Sequence, residues 1–260
     1  MSDGLPAVPE GTRFAPLTAR SVLLSVLLGS HPPELAVRTL VRIAELFGIS
    51  EGTARVALSR LSADGDVVAS EGIYRLSPRL LGRQAYQDRA VRPVTRPWRG
   101  GWELAVAGPG ASAGERAAVG ADLARLRLAE LRPGVWARPD NLVRTWPADL
   151  QDQLWRFVGR PGFADPEPAA LAGRLWDLPG WSATAESLIA ALKASRDPAE
   201  GFVVAAAIVR HLRDDPVLPP ALLPRGWPGG RLRAAYDTYR QELGDLMRRE
   251  QARSAGAGGR

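Results

Sequence analysis

The stretch from Leu35 to Ser77 constrains this chain more than any other. It reads as a helix, a tight turn, a second helix and a short two-stranded ribbon. The spacing predicts a helix over Leu35–Phe47, with Leu35, Leu40, Ile43, Ala44 and Phe47 on its buried side. Gly48 supplies the turn. Ser50 is suited to cap the next helix, Glu51–Ala63, and Gly65-Asp66 stops it. Val67-Val68 and Ile73–Leu76 form two strands joined by Ser70-Glu71-Gly72, a small wing. A winged helix-turn-helix uses this order to put its second helix into the major groove of DNA.

Ile49, Ala54, Leu58 and Leu61 recur at a spacing that faces the core. Glu51, Thr53, Arg55, Val56, Ser59 and Arg60 are left for solvent or a groove. Arg55 and Arg60 have the reach for guanine edges or phosphates, and Thr53 and Ser59 for shorter contacts. Ser50 at the helix start helps aim free backbone N–H groups at a phosphate. Arg75 lies in the wing, where such ribbons meet the backbone or the minor groove. Glu51 repels phosphate but is able to accept from cytosine. The opposing reading is a solvated face on a winged scaffold that binds protein. Residues 1–92 carry 11 Arg against 9 Asp or Glu, a net of only +2, so non-specific electrostatics are weak here.

The remaining two thirds of the chain predict an α+β organisation. Residues 1–16, rich in Pro, Gly and small residues, form a loose arm, and Thr18–Leu28 is helical in pattern. A basic polar connector runs over Arg75–Arg92, with Asp88 as its only acid. Pro93 and Pro97 mark a boundary. Trp102–Ala107 is a buried strand, Gly108–Gly114 a turn and Glu115–Arg125 a helix. Arg127–Leu131 and Val135–Arg138 make a hairpin around Pro133-Gly134, and Leu154–Val158 a further strand. After Pro161, Pro166 and Pro168 the pattern turns helical: Ala169–Trp176, Ala183–Ala194, Ala199–Leu212 and Arg231–Arg249, with a frayed tail over 251–260. The domains expected are therefore 17–92, 93–165 and 166–250.

Absent residue types narrow the chemistry. There is no cysteine, which excludes disulfides, thiol catalysis and cysteine-based metal sites. His31 and His211 alone do not build a histidine zinc site. No phosphate loop, dinucleotide fingerprint or nucleophile elbow is present. Apolar runs near Ser21–Leu28 and Phe202–Val209 are too short to span a bilayer, so a cytoplasmic protein without membrane contact is expected. The formal charge of +6 is mild for 260 residues. Arginine dominance suits phosphate contacts and equally suits GC-rich coding, which the Ala, Gly and Pro content favours. All eight tryptophans lie outside the winged module. A subset lining a cleft would hold an aromatic acyl group or an adenine; otherwise they are core anchors. Trp102, Trp136 and Trp176, with Arg138, Arg144 and Arg174 for phosphate or thioester, are the effector-site candidates.

The chain resembles the PaaX-like family of bacterial repressors, which control phenylacetate and related aromatic catabolism. The matching pieces are Ala54-Arg55-Val56-Ala57-Leu58-Ser59-Arg60-Leu61, Trp98-Arg99-Gly100-Gly101-Trp102 and Pro133-Gly134-Val135-Trp136. Leu212-Arg213-Asp214-Asp215-Pro216, Leu218-Pro219, Leu222-Leu223-Pro224 and Trp227-Pro228-Gly229 follow in order. The resemblance implies three parts: a winged helix-turn-helix, a middle ferredoxin-like (Cas2-like) α+β domain, and a helical C-terminal domain. It implies a homodimer on a palindromic operator of double-stranded DNA. It also implies a repressor with no cofactor, released by phenylacetyl-CoA or a related CoA thioester. A non-DNA interaction module and a transcriptional activator are the alternatives. Two departures stand out. Little room is left between Val135 and Leu154 for a full helix. Cas2-like nucleases carry an acid at the end of their first strand, where this chain has Ala107-Gly108-Pro109, with Glu103 near the start instead. Metal-assisted hydrolysis needs converging carboxylates, so no enzymatic activity is expected.

Overall fold

The computed structural model describes residues 18–108, 112–162 and 167–257. The arm expected over 1–16, the middle of the Gly108–Gly114 turn, Pro166 and the last three residues of the tail lie outside these residues. The architecture is α+β, with several helices and two small antiparallel sheets. Contacts divide the chain into two compact units. One comprises Met1–Asp88, Ala185–Arg210 and Gly230–Arg260; the other comprises Arg89–Thr184 and His211–Gly229. This partition and the linear one at 92/93 and 165/166 cut the helical C-terminal part differently.

In the first unit, α1 (Ala19–Gly29) begins with a reciprocal cap: Thr18 Oγ1 accepts from Ser21 N–H, and Ser21 Oγ accepts from Thr18 N–H. β1 (Glu34–Ala36) is followed directly by α2 (Val37–Leu46). The helix expected from Leu35 thus starts two residues later. Leu35 and Ala36 are strand, because Ala36 holds an extended ψ of 144° and Leu35 pairs with Tyr74. Gly48, at φ +70°, makes the turn into α3 (Glu51–Ala63). β2 (Val67–Ser70) and β3 (Ile73–Leu76) then form the ribbon, joined through Glu71 and Gly72, both at positive φ. β1 adds to β3, so the sheet has three strands in the order β1-β3-β2. The connector expected over Arg75–Arg92 is mostly helix, α4 (Pro78–Val91). Its charges hid a stripe in which Leu80, Gln84 and Val91 are buried. Gln84 donates to the carbonyls of Leu28 (3.0 Å) and Ser30 (2.9 Å) and so caps the end of α1.

One core joins these elements: Leu23 and Leu27 of α1, Leu40 of α2, and Leu58 and Leu61 of α3 are completely buried in it. Helices from far along the chain share it. Phe202 of α9 (Pro198–Arg213) packs edge-on against Phe47 at 4.9 Å, and Leu243 and Met247 of α10 (Gly229–Ala257) lie against the same cluster. α10 continues to Ala257, past the start of the expected frayed tail. Asp66, buried after α3, binds the guanidinium groups of Arg20 and Arg79. That ties α1, the ribbon and α4 together.

The second unit is built on β4 (Trp102–Ala107), α5 (Ala113–Arg125), β5 (Ala129–Arg132), β6 (Val135–Pro139), α6 (Ala148–Gln151) and β7 (Leu154–Gly159). The strand order is β5-β6-β4-β7, antiparallel throughout. On one face Ala105, Trp136 and Leu154 meet Val119 and Leu123 of α5. The Trp136 indole lies against α5 at Gly120, where a Cβ would be in ordinary van der Waals contact with the ring at 3.5 Å. On the other face Trp102 and Ala137 pack with Leu171 and Ala172 of α7 (Pro168–Leu175), Leu178 at the start of α8 (Leu178–Ala194), and Leu218 and Leu222. α6 is a single turn, as the short spacing before Leu154 requires.

Buried charge organises this unit. Glu103, 1% exposed, accepts from Arg144 (2.6 Å), Arg156 (2.6 Å) and Trp146 Nε1 (2.9 Å). Both guanidiniums also lie over the Trp146 ring, at 5.5 and 5.0 Å from its centroid. Arg138, fully buried, donates to Asn141 Oδ1 (2.9 Å) and to the carbonyls of Pro139, Arg127 and Val217. Burial, with Arg144 and Arg127 nearby, lowers its pKa to about 9, so it stays charged at neutral pH. Val217 sits at φ +50°, a costly conformation for a β-branched residue. It is held there by Asn141 and Arg138 on its carbonyl and by Asp215 Oδ1 on its N–H. A further stack holds the end of the unit: Trp181 lies 4.5 Å from both the His211 ring and the Trp227 ring.

Two outcomes follow from these groups. Glu103→Gln leaves Arg144 and Arg156 facing each other without their anion. It is expected to lower stability by about 3 kcal/mol, read as a fall in the urea midpoint; an unchanged midpoint contradicts the ion cluster. Burial lowers the His211 pKa below its usual value, so folding favours the neutral ring. Its stability contribution is complete above about pH 6.5 and declines as pH falls through that value towards the folded pKa. The thermal midpoint should drop between about pH 7.5 and about pH 5.5 by more in the natural chain than in His211→Phe; identical pH slopes contradict this.

Candidate nucleic-acid interface

Burial on α3 separates cleanly by face. Ala54, Ala57, Leu58 and Leu61 point into the core. Ser50, Glu51, Thr53, Arg55, Val56, Ser59 and Arg60 are all exposed, so the structure brings the seven candidates around this helix onto one surface. Val56 is 52% exposed, unusual for a large apolar side chain on a charged helix. An apolar contact of this kind suits a thymine methyl group.

The start of the helix is equally open. Ser50 Oγ accepts from Thr53 N–H at 3.3 Å and lies 2.9 Å from Thr53 Oγ1. That satisfies one of the free N–H groups and leaves others for an anion. Gly52, which the sequence reading passed over, has no atom within 4 Å of where its Cβ would be. Backbone here is bare enough for close approach of a phosphate. The Ser-Glu-Gly-Thr run at the cap was the available signal.

The charges are arranged less simply. Arg55 Nε donates to Glu51 Oε1 at 2.8 Å, one turn back. Both groups are more than half exposed, and such pairs are worth about 0.3–0.5 kcal/mol. Arg55 is therefore free to exchange Glu51 for a base edge at little cost, and the pair answers the repulsion expected of Glu51. Arg60 has no acidic partner among the described residues. Arg75 lies in the middle of β3, where its Nε meets Glu34 Oε2 of β1 at 2.5 Å. The wing tip itself carries Glu71 and Gly72. β1, absent from the sequence reading, is what supplies Arg75 with a carboxylate.

The effector candidates do not converge. Trp102 and Trp136 are buried on opposite faces of the second sheet. Arg138 and Arg144 are committed to the buried clusters described above. Trp176 is half-buried beside the Trp102 face, and Arg174 is exposed near the end of α7. Among the described residues no cluster of acidic or histidine side chains could hold a metal ion. No described helix is long and apolar enough to cross a membrane.

Comparison with curated proteins gives no match. An uncharacterized protein of Mycobacterium tuberculosis has a solved structure that covers 91% of this chain and is itself covered completely, with 46% sequence identity and a TM-score of 0.79. Residues 18–80, which contain the exposed helix and its ribbon, match the PaaX-like protein family, and residues 178–251 match the PaaX-like protein C-terminal domain. The chain belongs to the PaaX-like family, whose members are sequence-specific DNA-binding transcriptional repressors responsive to acyl-coenzyme A effectors, regulators rather than enzymes.

Proposed function

We propose that this chain represses transcription by inserting α3 into the major groove of a palindromic operator as a homodimer, and that a phenylacetyl-CoA-type thioester releases it. The domains on this reading are a winged helix-turn-helix over 17–92, a ferredoxin-like middle domain over 93–165 and a helical C-terminal domain over 166–250. The order β5-β6-β4-β7 supports the middle label, with the second helix cut to one turn.

The observation that carries the reading is the single exposed face of α3, which combines Thr53, Arg55, Val56, Ser59 and Arg60. Each residue type has a base-edge or phosphate partner. Arg60 is the first candidate for bidentate contact with a guanine, since it has no acidic partner among the described residues. Arg55 joins it by leaving Glu51. Ser50 and the bare helix start hold a phosphate, and Arg75 fixes the ribbon alongside the backbone. The net +2 of residues 1–92 favours base readout over bulk attraction. Two such modules related by a two-fold axis read two half-sites, which accounts for palindromic DNA. The thioester acts only if it binds more tightly to a dimer geometry that separates the two α3 helices from their half-sites.

The test titrates the purified chain against its own upstream intergenic DNA at fixed salt, with and without phenylacetyl-CoA. Arg60→Ala should weaken specific binding by about tenfold to a hundredfold with little change in the thermal midpoint. Arg55→Ala should weaken it similarly. If both variants bind like the natural chain, or if the natural chain shows no preference over random DNA, the reading fails and an interaction role takes its place.

A further inference from the structure

Beside the edge of the second sheet lies an open cleft of about 370 Å³, within the size range of ligand sites. Three arginines line it, Arg96, Arg99 and Arg160, against one acid, Asp140. Asp140 is already engaged, since Arg96 binds its carboxylate and also donates to its carbonyl. Arg99 and Arg160 are exposed and have no acidic partner among the described residues. Two positive charges thus remain uncompensated at one place.

The wall is built rather than loose. Trp98 Nε1 donates to Gly101 O at 2.6 Å, and Asp140 N–H donates to the same oxygen at 2.9 Å. Arg96 N–H donates to Asn141 O at 2.7 Å. Gly100 turns the chain at φ +84°, and Arg160 lies beside it, with Nε 3.8 Å from where a Cβ would be. Gly159 has nothing within 4 Å of its own missing Cβ. This is the Trp98-Arg99-Gly100-Gly101 run, which the DNA-reading role leaves unused. Pro97 and Val158, the latter 56% exposed, add an apolar floor beside the guanidiniums.

We propose that this cleft is a phosphate-binding site, in which Arg99 and Arg160 grip a phosphate of the CoA effector while Arg96, fixed by Asp140, orients the wall. The assignment to the effector rests on the acyl-CoA reading above; the phosphate chemistry rests on the cleft alone. Planar guanidiniums suit phosphate oxygens because each presents two parallel N–H groups.

The experiment compares the full chain with Arg99→Ala/Arg160→Ala and Arg99→Lys/Arg160→Lys. Calorimetry reads pyrophosphate and coenzyme A binding, and release from operator DNA by phenylacetyl-CoA is followed in parallel. The alanine pair should weaken both ligands, and raise the thioester concentration needed for release, by about tenfold or more, with the lysine pair intermediate. Unchanged DNA affinity without effector is part of the expected result. If release by the thioester is unaffected in the alanine pair, the effector assignment is overturned while the acyl-CoA reading survives. If the thioester releases neither protein, that reading fails, and pyrophosphate binding lost in the alanine pair still supports the site. No pyrophosphate or coenzyme A binding to the natural chain overturns the site. A loss of DNA affinity with ligand binding intact overturns it too, in favour of a backbone contact.

Discussion

The burial of Leu58 and Leu61 decides what the rest of the first unit can do. Both side chains are completely buried with Leu23, Leu27 and Leu40, and each contributes about 2 kcal/mol by removal from water. A helix anchored along Ala54, Leu58 and Leu61 must turn Thr53, Arg55, Val56, Ser59 and Arg60 outward. The outward residues need no packing role of their own, so they are left to chemistry. Phe202 reinforces the arrangement by resting on Phe47, next to the turn that sets the angle between α2 and α3. Leu243 and Met247 close the same core. The angle of α3 is therefore set partly by residues from far along the chain.

The second unit uses buried charge where the first uses leucine. Glu103 draws Arg144, Arg156 and Trp146 onto one face of the sheet, and Arg138 fastens the segment around Val217 to β6. Breaking such clusters is costly because an unpaired ion is left in a dry site. These side chains are engaged in hydrogen bonds within these clusters. Arg99 and Arg160 lie elsewhere in the unit and have no acidic partner among the described residues.

Periodicity made the first unit legible. The alternation of leucine and polar residues from Glu51 to Ala63 placed α3 and every exposed candidate on it, and Gly48 marked the turn. β1 was hidden because three residues carry no period, and its pairing depends on β3 forty residues later. α4 was hidden by its arginines, whose exposed face outweighed Leu80, Gln84 and Val91 in a short window. Residue type alone could not show whether the effector candidates come together. Tryptophan and arginine suit an acyl-CoA, but the sheet register sends Trp102 and Trp136 to opposite faces and buries Arg138 beneath Val217. Only the three-dimensional placement shows that Asp140 pairs with Arg96, leaving Arg99 and Arg160 without an acidic partner among the described residues.

Insertion of α3 into the major groove, as proposed, requires contact with base edges there. Methylation interference on the upstream operator tests it most directly, because a methyl group on guanine N7 blocks arginine contact there without touching the phosphates. Binding should be lost at guanines in two symmetric clusters whose centres lie about one helical turn apart, or a multiple of it. Binding that tolerates N7 methylation at every position would contradict it.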